Sequence, residues 1–360
     1  MKPPFAPFPS LAARPIVLDG SMGEGGGQVL RTSLALSCLT GRPLELTRIR
    51  AGRNKPGLMR QHLTCVRAAA RASGARVEGG ELSSTEIRFE PAGLFPTVAR
   101  FEIGTAGSTA LVIQTILWPL LFAEGPSDIE LIGGTDVLAA PSIAFLQQTF
   151  LPLLNAMGAT AQLELLRSGY YPAGGGHVKL KVTPLGESAR LIPIDLDAAP
   201  VPRAMSAQAT TSRIPAEVAR RELDQLAAKL AIRRENLHEH RDEASVGPGN
   251  VVHAHVPMDD GRRVILEAYG RRGRSAEKVA GGLAEAVRKF TSAKVSASEH
   301  LADQLLLPLA LAGGGSFTTT EPSLHTRTNA EVITGVLGTS FEVDEIEPGR
   351  YRVSVSPSSN

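Results

Sequence analysis

The stretch GEGGGQVLRTSLALS, residues 23–37, sets Glu24 ahead of consecutive glycines and places Arg31 inside the apolar run that follows. Glycines ahead of a helix leave backbone N–H groups unhindered at the positive end of the helix dipole, which suits phosphate. The stretch is neither a Walker loop nor a dinucleotide fingerprint, and alone it reads first as a tight strand-to-helix turn. Glu24 alters that balance, because a carboxylate beside a phosphate calls for a divalent cation, Mg²⁺ or Mn²⁺, between them. Further on, RIRAGRNKPGLMRQH crowds Arg48, Arg50, Arg53, Lys55, Arg60 and His62 around Gly52, Pro56 and Gly57. Guanidinium forks held in such a loop match phosphate oxygens. Asp303 and Gln304 open the apolar helix pattern HLADQLLLPLALAGGG, where an acid either serves the helix dipole or needs a partner or a metal. His325 follows Ser323, a plausible N-cap, in a polar strand-to-helix segment of the sort where active-site residues collect.

Two H-x-H pairs, His238 with His240 and His253 with His255, would each face one side of a strand. That spacing allows zinc, but no cysteine accompanies it, and the pairs read as solvated strand faces. Cys38 and Cys65, the only cysteines, lie in apolar helix-like runs and read as buried thiols in a reducing compartment.

The elements that must position these groups recur. QVLRTSLALSCLTG, PLELTRIR, RQHLTCVRAAARASG and ARVEG read as helix, strand, helix, strand, with Gly41 stopping the first helix. The pattern returns from AGSTALVIQTILWPLLFAEG, with glycine stops after both helices, and again from HLADQLLLPLALAGGG. Between the second and third copies the rhythm breaks, and residues 186–292 carry enough strands and helices for a small α/β domain of their own. The expected architecture is α/β (α+β): a large domain of three repeated units, residues 1–185 plus 293–360, with the small domain 186–292 inserted.

Composition narrows the class. At 360 residues and 42% hydrophobic content, the chain can bury one large core or two moderate ones. A net charge of +2 provides no broad field for a polyanion, so any nucleic-acid contact is local. Aromatics at 4% argue against a base-stacking sheet platform. MKPPFAPFPSLAARP lacks a signal-peptide core and reads as an extended arm, while LVIQTILWPLLFA is too short to span a bilayer; the expectation is a soluble, cytoplasmic protein.

Taken together, LDGSMGEGGGQVLRTSLALS, IRAGRNKPGLMRQHLT, GTAGSTALVIQT, GGTD, YYPAGGGHV, HLADQLLLPLALAG and PSLHTRTN resemble, in order, the sequence blocks of RNA 3′-terminal phosphate cyclases. The resemblance covers nearly the whole chain. It implies three units like the C-terminal domain of bacterial translation initiation factor 3, and a ligase that uses ATP and a divalent metal to convert an RNA 3′-phosphate into a 2′,3′-cyclic phosphate, releasing AMP and pyrophosphate. By position, His325 would be the nucleophile that takes up AMP, Glu24 the metal ligand, and Arg31, Arg53 and Asp303 further catalytic residues. Arg50, Gln61 and Gln304 would bind ATP or the RNA phosphate. His300 stands where some relatives have an aromatic residue stacked on adenine, with Pro141 as the other wall. A cyclase-like RNA-binding factor without adenylylation, the runner-up, lacks the nucleophilic histidine that is present here. An enolpyruvyl transferase would form no AMP adduct.

Overall fold

Strict alternation of burial along SDIELIG, the pattern expected where one face of a sheet is covered, fixes Ser127–Gly133 as a strand, and its neighbours follow the same rule. The computed structural model describes residues 14–186, 189–198 and 200–357; the proline-rich arm, residues 1–13, lies outside them. The elements run β1 (Ile16–Asp19), α1 (Gln28–Thr40), β2 (Leu44–Thr47), α2 (Arg60–Ser73), β3 (Arg76–Glu78) and β4 (Ile87–Glu90). Next come β5 (Val98–Glu102), α3 (Thr109–Leu121), β6 (Ser127–Gly133), α4 (143–156, with a π segment at Leu146–Phe150), β7 (Thr160–Arg167) and β8 (Gly176–Thr183). The chain continues through β9 (Asp195–Leu196), β10 (Ser206–Ser212), α5 (Glu217–Leu230), β11 (Leu237–Arg241), β12 (Gly249–Pro257), β13 (Arg263–Tyr269) and α6 (Ala276–Ser292). It closes with α7 (Glu299–Ala312), β14 (Gly315–Thr319), α8 (Leu324–Leu337), β15 (Ser340–Glu347) and β16 (Arg350–Ser356).

Three of the four sheets share one plan. Their orders are β1-β2-β4-β3, β5-β6-β8-β7 and β9-β14-β16-β15, each with its first pair parallel and the rest antiparallel. Each unit is therefore strand-helix-strand-helix-strand-strand, longer than the helix-strand-helix-strand pattern legible in the sequence. The additions are the opening and the closing strand of each unit, and of these β9, only two residues long, is too short for a period-two signal. LIPIDL, read as part of the insert, instead supplies β9, which pairs with β14 in the third unit.

Glycines in the left-handed conformation end α1 at Gly41, α2 at Gly74 and α8 at Gly338. The expected stop at Gly125 is not used: α3 ends at Leu121, two residues beyond Pro119, and a turn follows. α1 is buried on every side, all but its last residue, between α2, α3 and α8. Both cysteines are free and buried in this packing. Among the described residues no helix is long and apolar enough to cross a membrane.

The fourth sheet, β11-β10-β12-β13, builds its own core with α5 and α6 through Leu223, Leu226, Val252, Val256, Leu283 and Val287. Its other face docks on the second unit. There the Ile265 N–H donates to Thr149 Oγ1 at 3.0 Å, and the Ser142 N–H donates to Glu267 Oε1 at 2.8 Å. This docking corrects the reading of the H-x-H pairs. His238 and His240 are exposed on β11, but His253 is 6% exposed because the sheet face it occupies meets protein rather than water. Among the described residues no group of three or more His, Cys, Asp or Glu side chains could hold a metal.

The docked face encloses an acidic pair. His253 Nε2 lies 3.8 Å from both Asp136 Oδ1 and Glu267 Oε2, and the Tyr269 hydroxyl donates to Glu267 Oε1 at 3.0 Å. Burial pushes the Glu267 carboxyl up to about 7 and Asp136 up to about 6, against the hydrogen bonds from Ser142 and Thr135, while burial holds His253 near 3. Glu267 is therefore still protonated in the fold at pH values where the unfolded chain ionises it. Its stabilising contribution is fully present below its unfolded value of 4.5 and is lost as pH rises through about 7. Glu267→Gln, which keeps the hydrogen bonds but cannot ionise, should gain on the parent by up to about 3 kcal/mol between pH 5 and pH 8. Urea unfolding of both proteins at the two pH values checks this, and an unchanged difference would count against a protonated Glu267.

Candidate active site

Two loops carry most of the charged residues, and glycines let them touch. The loop between β1 and α1 presses on the loop between β2 and α2, with the Gly52 N–H donating to the Gly25 carbonyl at 3.1 Å. Gly25 has φ +58°, and a Cβ there would sit 2.8 Å from the Gly52 nitrogen; one on Gly27 would sit 2.6 Å from His62 Nε2 and 2.9 Å from Arg31 Nη1. Close approach is therefore what the glycine run serves in this fold. It brings Arg53, from the second loop, onto Glu24 in the first.

Glu24 Oε2 accepts from Arg53 Nη2 at 2.7 Å and also lies 2.9 Å from His325 Nε2, in the first turn of α8. The Ser323 hydroxyl caps that helix by accepting from the Thr326 N–H, which fixes where His325 leaves the chain. The Glu24 carboxylate holds the His325 imidazole above its ordinary value, against partial burial. Glu24 itself is pushed up by burial, but His325 and Arg53 outweigh this and leave it below its ordinary value. One carboxylate oxygen thus serves two cations.

Behind this pair lies a buried polar relay. Arg31 is 7% exposed within α1, and its Nη2 donates to Gln28 Oε1 at 2.5 Å. Gln28 Nε2 donates to Thr32 Oγ1 (3.2 Å), Thr32 Oγ1 to Asn329 Oδ1 (2.7 Å), and Asn329 Nδ2 to Asp303 Oδ1 (3.0 Å). Arg31, Asp303 and Gln304 line one small cavity of about 30 Å³ together with Gln114 and Trp118. Burial raises the Asp303 carboxyl although Arg31 and His325 pull the other way. Arg31 Nε remains buried without a hydrogen-bond partner.

The other expected residues take different places. Arg50, at φ +56°, turns back on its own loop and donates to the carbonyls of Lys55 and Gly57. Gln61 Oε1 accepts from the Ser108 N–H at 2.6 Å and so fixes the start of α3. Pro141 is buried just before Ser142, the N-cap of α4, and exposed His300 sets its ring edge-on to Phe145 of that helix at 6.2 Å. Glu24, Arg31, Arg53, Asp303, Gln304 and His325 converge; Arg50 and Gln61 flank them.

Gln28, Thr32 and Asn329 were not singled out in the sequence, although Asn329 stands one helical turn beyond His325 on the same face. His62 was visible only as part of a basic run. Burial first, then Arg50, Arg31 and Arg53, push it down to about 3, and its Nδ1 accepts from the Met59 N–H. It is a neutral wall among cations.

Residues 22–343 match the family model described as RNA 3′-terminal phosphate cyclase. A protein of that name from Koribacter versatilis (strain Ellin345) is 44% identical over 341 residues, 95% of each chain. Another of the same name, from Ralstonia nicotianae (strain ATCC BAA-1114 / GMI1000), is 45% identical over 347 residues, 95% of this chain and 97% of that one.

The relay makes Asn329 a structural keystone of the cluster. Asn329→Ala leaves buried Thr32 and half-buried Asp303 without this partner, which should cost about 2–3 kcal/mol. Chemical denaturation measures this, and a loss below about 0.5 kcal/mol, the range of an ordinary surface change, would show that the relay contributes nothing.

Proposed function

The chain belongs to the RNA 3′-terminal phosphate cyclase family and is an enzyme, and on that premise we propose that it converts an RNA 3′-terminal phosphate into a 2′,3′-cyclic phosphate, using ATP and passing through AMP held on His325. The observation that carries this reading is the sharing of Glu24 Oε2 between Arg53 and His325 Nε2, with the buried Arg31 behind them. In this arrangement Nε2 is engaged by Glu24. Its lone pair becomes available when it gives up that contact and its proton, leaving a neutral imidazole able to attack phosphorus.

The Nε2–P bond forms at the α-phosphorus of ATP as the α–β bridging P–O bond breaks and pyrophosphate departs. An oxygen of the RNA 3′-phosphate then takes the AMP, breaking the P–N bond and forming a phosphoanhydride. Finally the neighbouring ribose 2′-OH loses its proton, bonds to the 3′-phosphorus and expels AMP. Nucleophile and phosphorus share one ribose, so little entropy is lost in that step.

Arg31 and Arg53 supply fixed positive charge where anionic oxygens crowd, and the unpartnered Arg31 Nε–H leaves a donor for one of them. Asp303, through Asn329, holds α8 and therefore His325 in place. Gln304 shares the cavity of Arg31, while Arg50 and Gln61 shape the surrounding loops for ATP; Pro141 and His300, the latter edge-on to Phe145, would hold the adenine. A divalent metal, Mg²⁺ or Mn²⁺, fits the remaining chemistry. Glu24 Oε2 is taken but Oε1 carries no hydrogen bond among the described residues, and one carboxylate beside ATP phosphates is a usual magnesium site. Bound there, the metal would neutralise phosphate charge.

Three sheets of one plan, each covered by two helices, support reading the large domain as three units like the C-terminal domain of bacterial translation initiation factor 3, with the insert starting after Asp197 and ending near residue 292. The two buried free thiols support a reducing, cytoplasmic setting.

Incubation with ATP labelled at the α-phosphate and Mg²⁺ or Mn²⁺ should leave acid-labile, base-stable label on the protein and none on His325→Ala. Absence of label on the folded parent would overturn the reading. Glu24→Ala should slow labelling by at least about 100-fold, whereas an unchanged rate at every metal concentration would remove Glu24 from the metal site.

A further inference from the structure

Where the insert docks on the second unit, a cavity of about 1010 Å³ opens that shares no lining residue with the cluster around Glu24 and Arg31. The chain has four tyrosines, and three of them, Tyr170, Tyr171 and Tyr269, line this one space. Tyr170 is buried, with its hydroxyl donating to Asp242 Oδ2 at 3.1 Å and its ring flat against Gly249, where any Cβ would collide with it. Tyr171 beside it is 78% exposed. A chain poor in aromatics has collected them at one place.

The rim is cationic. Arg213, Arg271, Arg272 and Arg274 all line the cavity, the last three from the short loop between β13 and α6. Among the described residues the exposed Arg271 and Arg272 side chains form no ion pair. The two acids on the wall, Asp136 and Glu222, are buried, and burial raises both carboxyls above their ordinary range. Glu222 Oε2 accepts from Asn250 Nδ2 at 2.8 Å, but its Oε1 is buried without a partner. The cavity therefore combines apolar and aromatic walls, a polar group awaiting a hydrogen bond, and free guanidinium groups at the mouth. A base against tyrosine, with its edge toward Glu222 and Asn250 and its phosphates on arginine, satisfies all three.

We propose that this interdomain cavity is a second nucleotide subsite, which takes a nucleotide of the RNA strand upstream of the reacting 3′ end. The inference rests on the cyclase reading for the identity of the strand. One loop connects the two places: Gly134 pairs with Ser108, whose N–H is held by Gln61, and Asp136, Val137 and Leu138 of the same loop line the cavity.

The test is fluorescence anisotropy of a 5′-labelled oligoribonucleotide of about ten nucleotides, ending in a 3′-phosphate, with the full chain over a range of salt. The Arg271→Ala/Arg272→Ala double variant should lose about tenfold in affinity and flatten the log–log salt slope by about 1.4, the value for two single-strand phosphate contacts. Tyr171→Ala, an exposed change with little risk to folding, should weaken binding at least about fivefold with the slope unchanged. Labelling by ATP should be normal in both. Affinity and slope equal to the parent in the double variant would overturn the proposal. So would loss of AMP binding without loss of oligonucleotide binding, which would mark a site for free nucleotide. Because binding is read directly, failure of the His325 chemistry would appear separately, as absent label on a protein whose RNA affinity still depends on Arg271 and Arg272.

Discussion

Arg31 carries a permanent charge into the space where α1, α3, α7 and α8 meet, and the surrounding structure is arranged to make that tolerable. A guanidinium cannot escape burial by losing its proton at any ordinary pH. Its surroundings must supply acceptors, and here they come from Gln28 on the same helix and, through Thr32 and Asn329, from the start of α7. Removing any acceptor leaves a buried polar group unpaired, so the four side chains tie three helices of two different units together. Those helices carry His325 and Asp303. The geometry of the candidate cluster is thus a consequence of housing one buried cation.

The balance of charge around that cation explains what the site is built to receive. Arg31, Arg53 and a proton-prone His325 face Glu24, while burial weakens Asp303 as a counter-ion. His62, which would add to the repulsion, is kept neutral by burial and by the arginines themselves. The cluster carries surplus positive charge in a partly desolvated place, a condition that becomes favourable when anionic oxygens enter. Arg50 is near enough to add to that field, yet its Nη1 donates to two carbonyls of its own loop, so its first contribution is to the shape of that loop.

Much of this was legible from residue types and spacing. Glu24, Arg31, Arg53, Asp303 and His325 stand in motifs whose order can be read directly, and the glycine stop at Gly41 and the N-cap Ser323 marked the end of α1 and the start of α8. What could not be read was what long-range packing decides. β9 is too short for any periodic signal and finds its partner, β14, only across the whole insert. The sequence around His253 has the alternation of a half-solvated strand, and nothing local says that its outer face meets Asp136 of the second unit instead of water. The relay through Thr32 and Asn329 spans nearly the full chain, from the first unit to the third, so no window of sequence contains it.

The same distinction explains why the interdomain cavity escaped notice. Its tyrosines belong to a loop of the second unit and to β13 of the insert, and three of its four arginines to a GRRGR turn that by itself looks like a solvated charge run. Low aromatic content excludes a broad stacking sheet, but it says nothing about whether three rings are gathered at one point. Docking of the insert does the gathering: Glu267 locks β13 to the start of α4 through Ser142, and Asp242 holds the Tyr170 hydroxyl across the same boundary. The segment between β9 and α7, which packs a core of its own, is thereby fixed against the second unit. The loop it meets there runs from Gly134, next to Ser108, to Pro141. Any shift of the insert must press on that loop, and therefore on the segment that Gln61 anchors beside the cluster around Glu24 and Arg31.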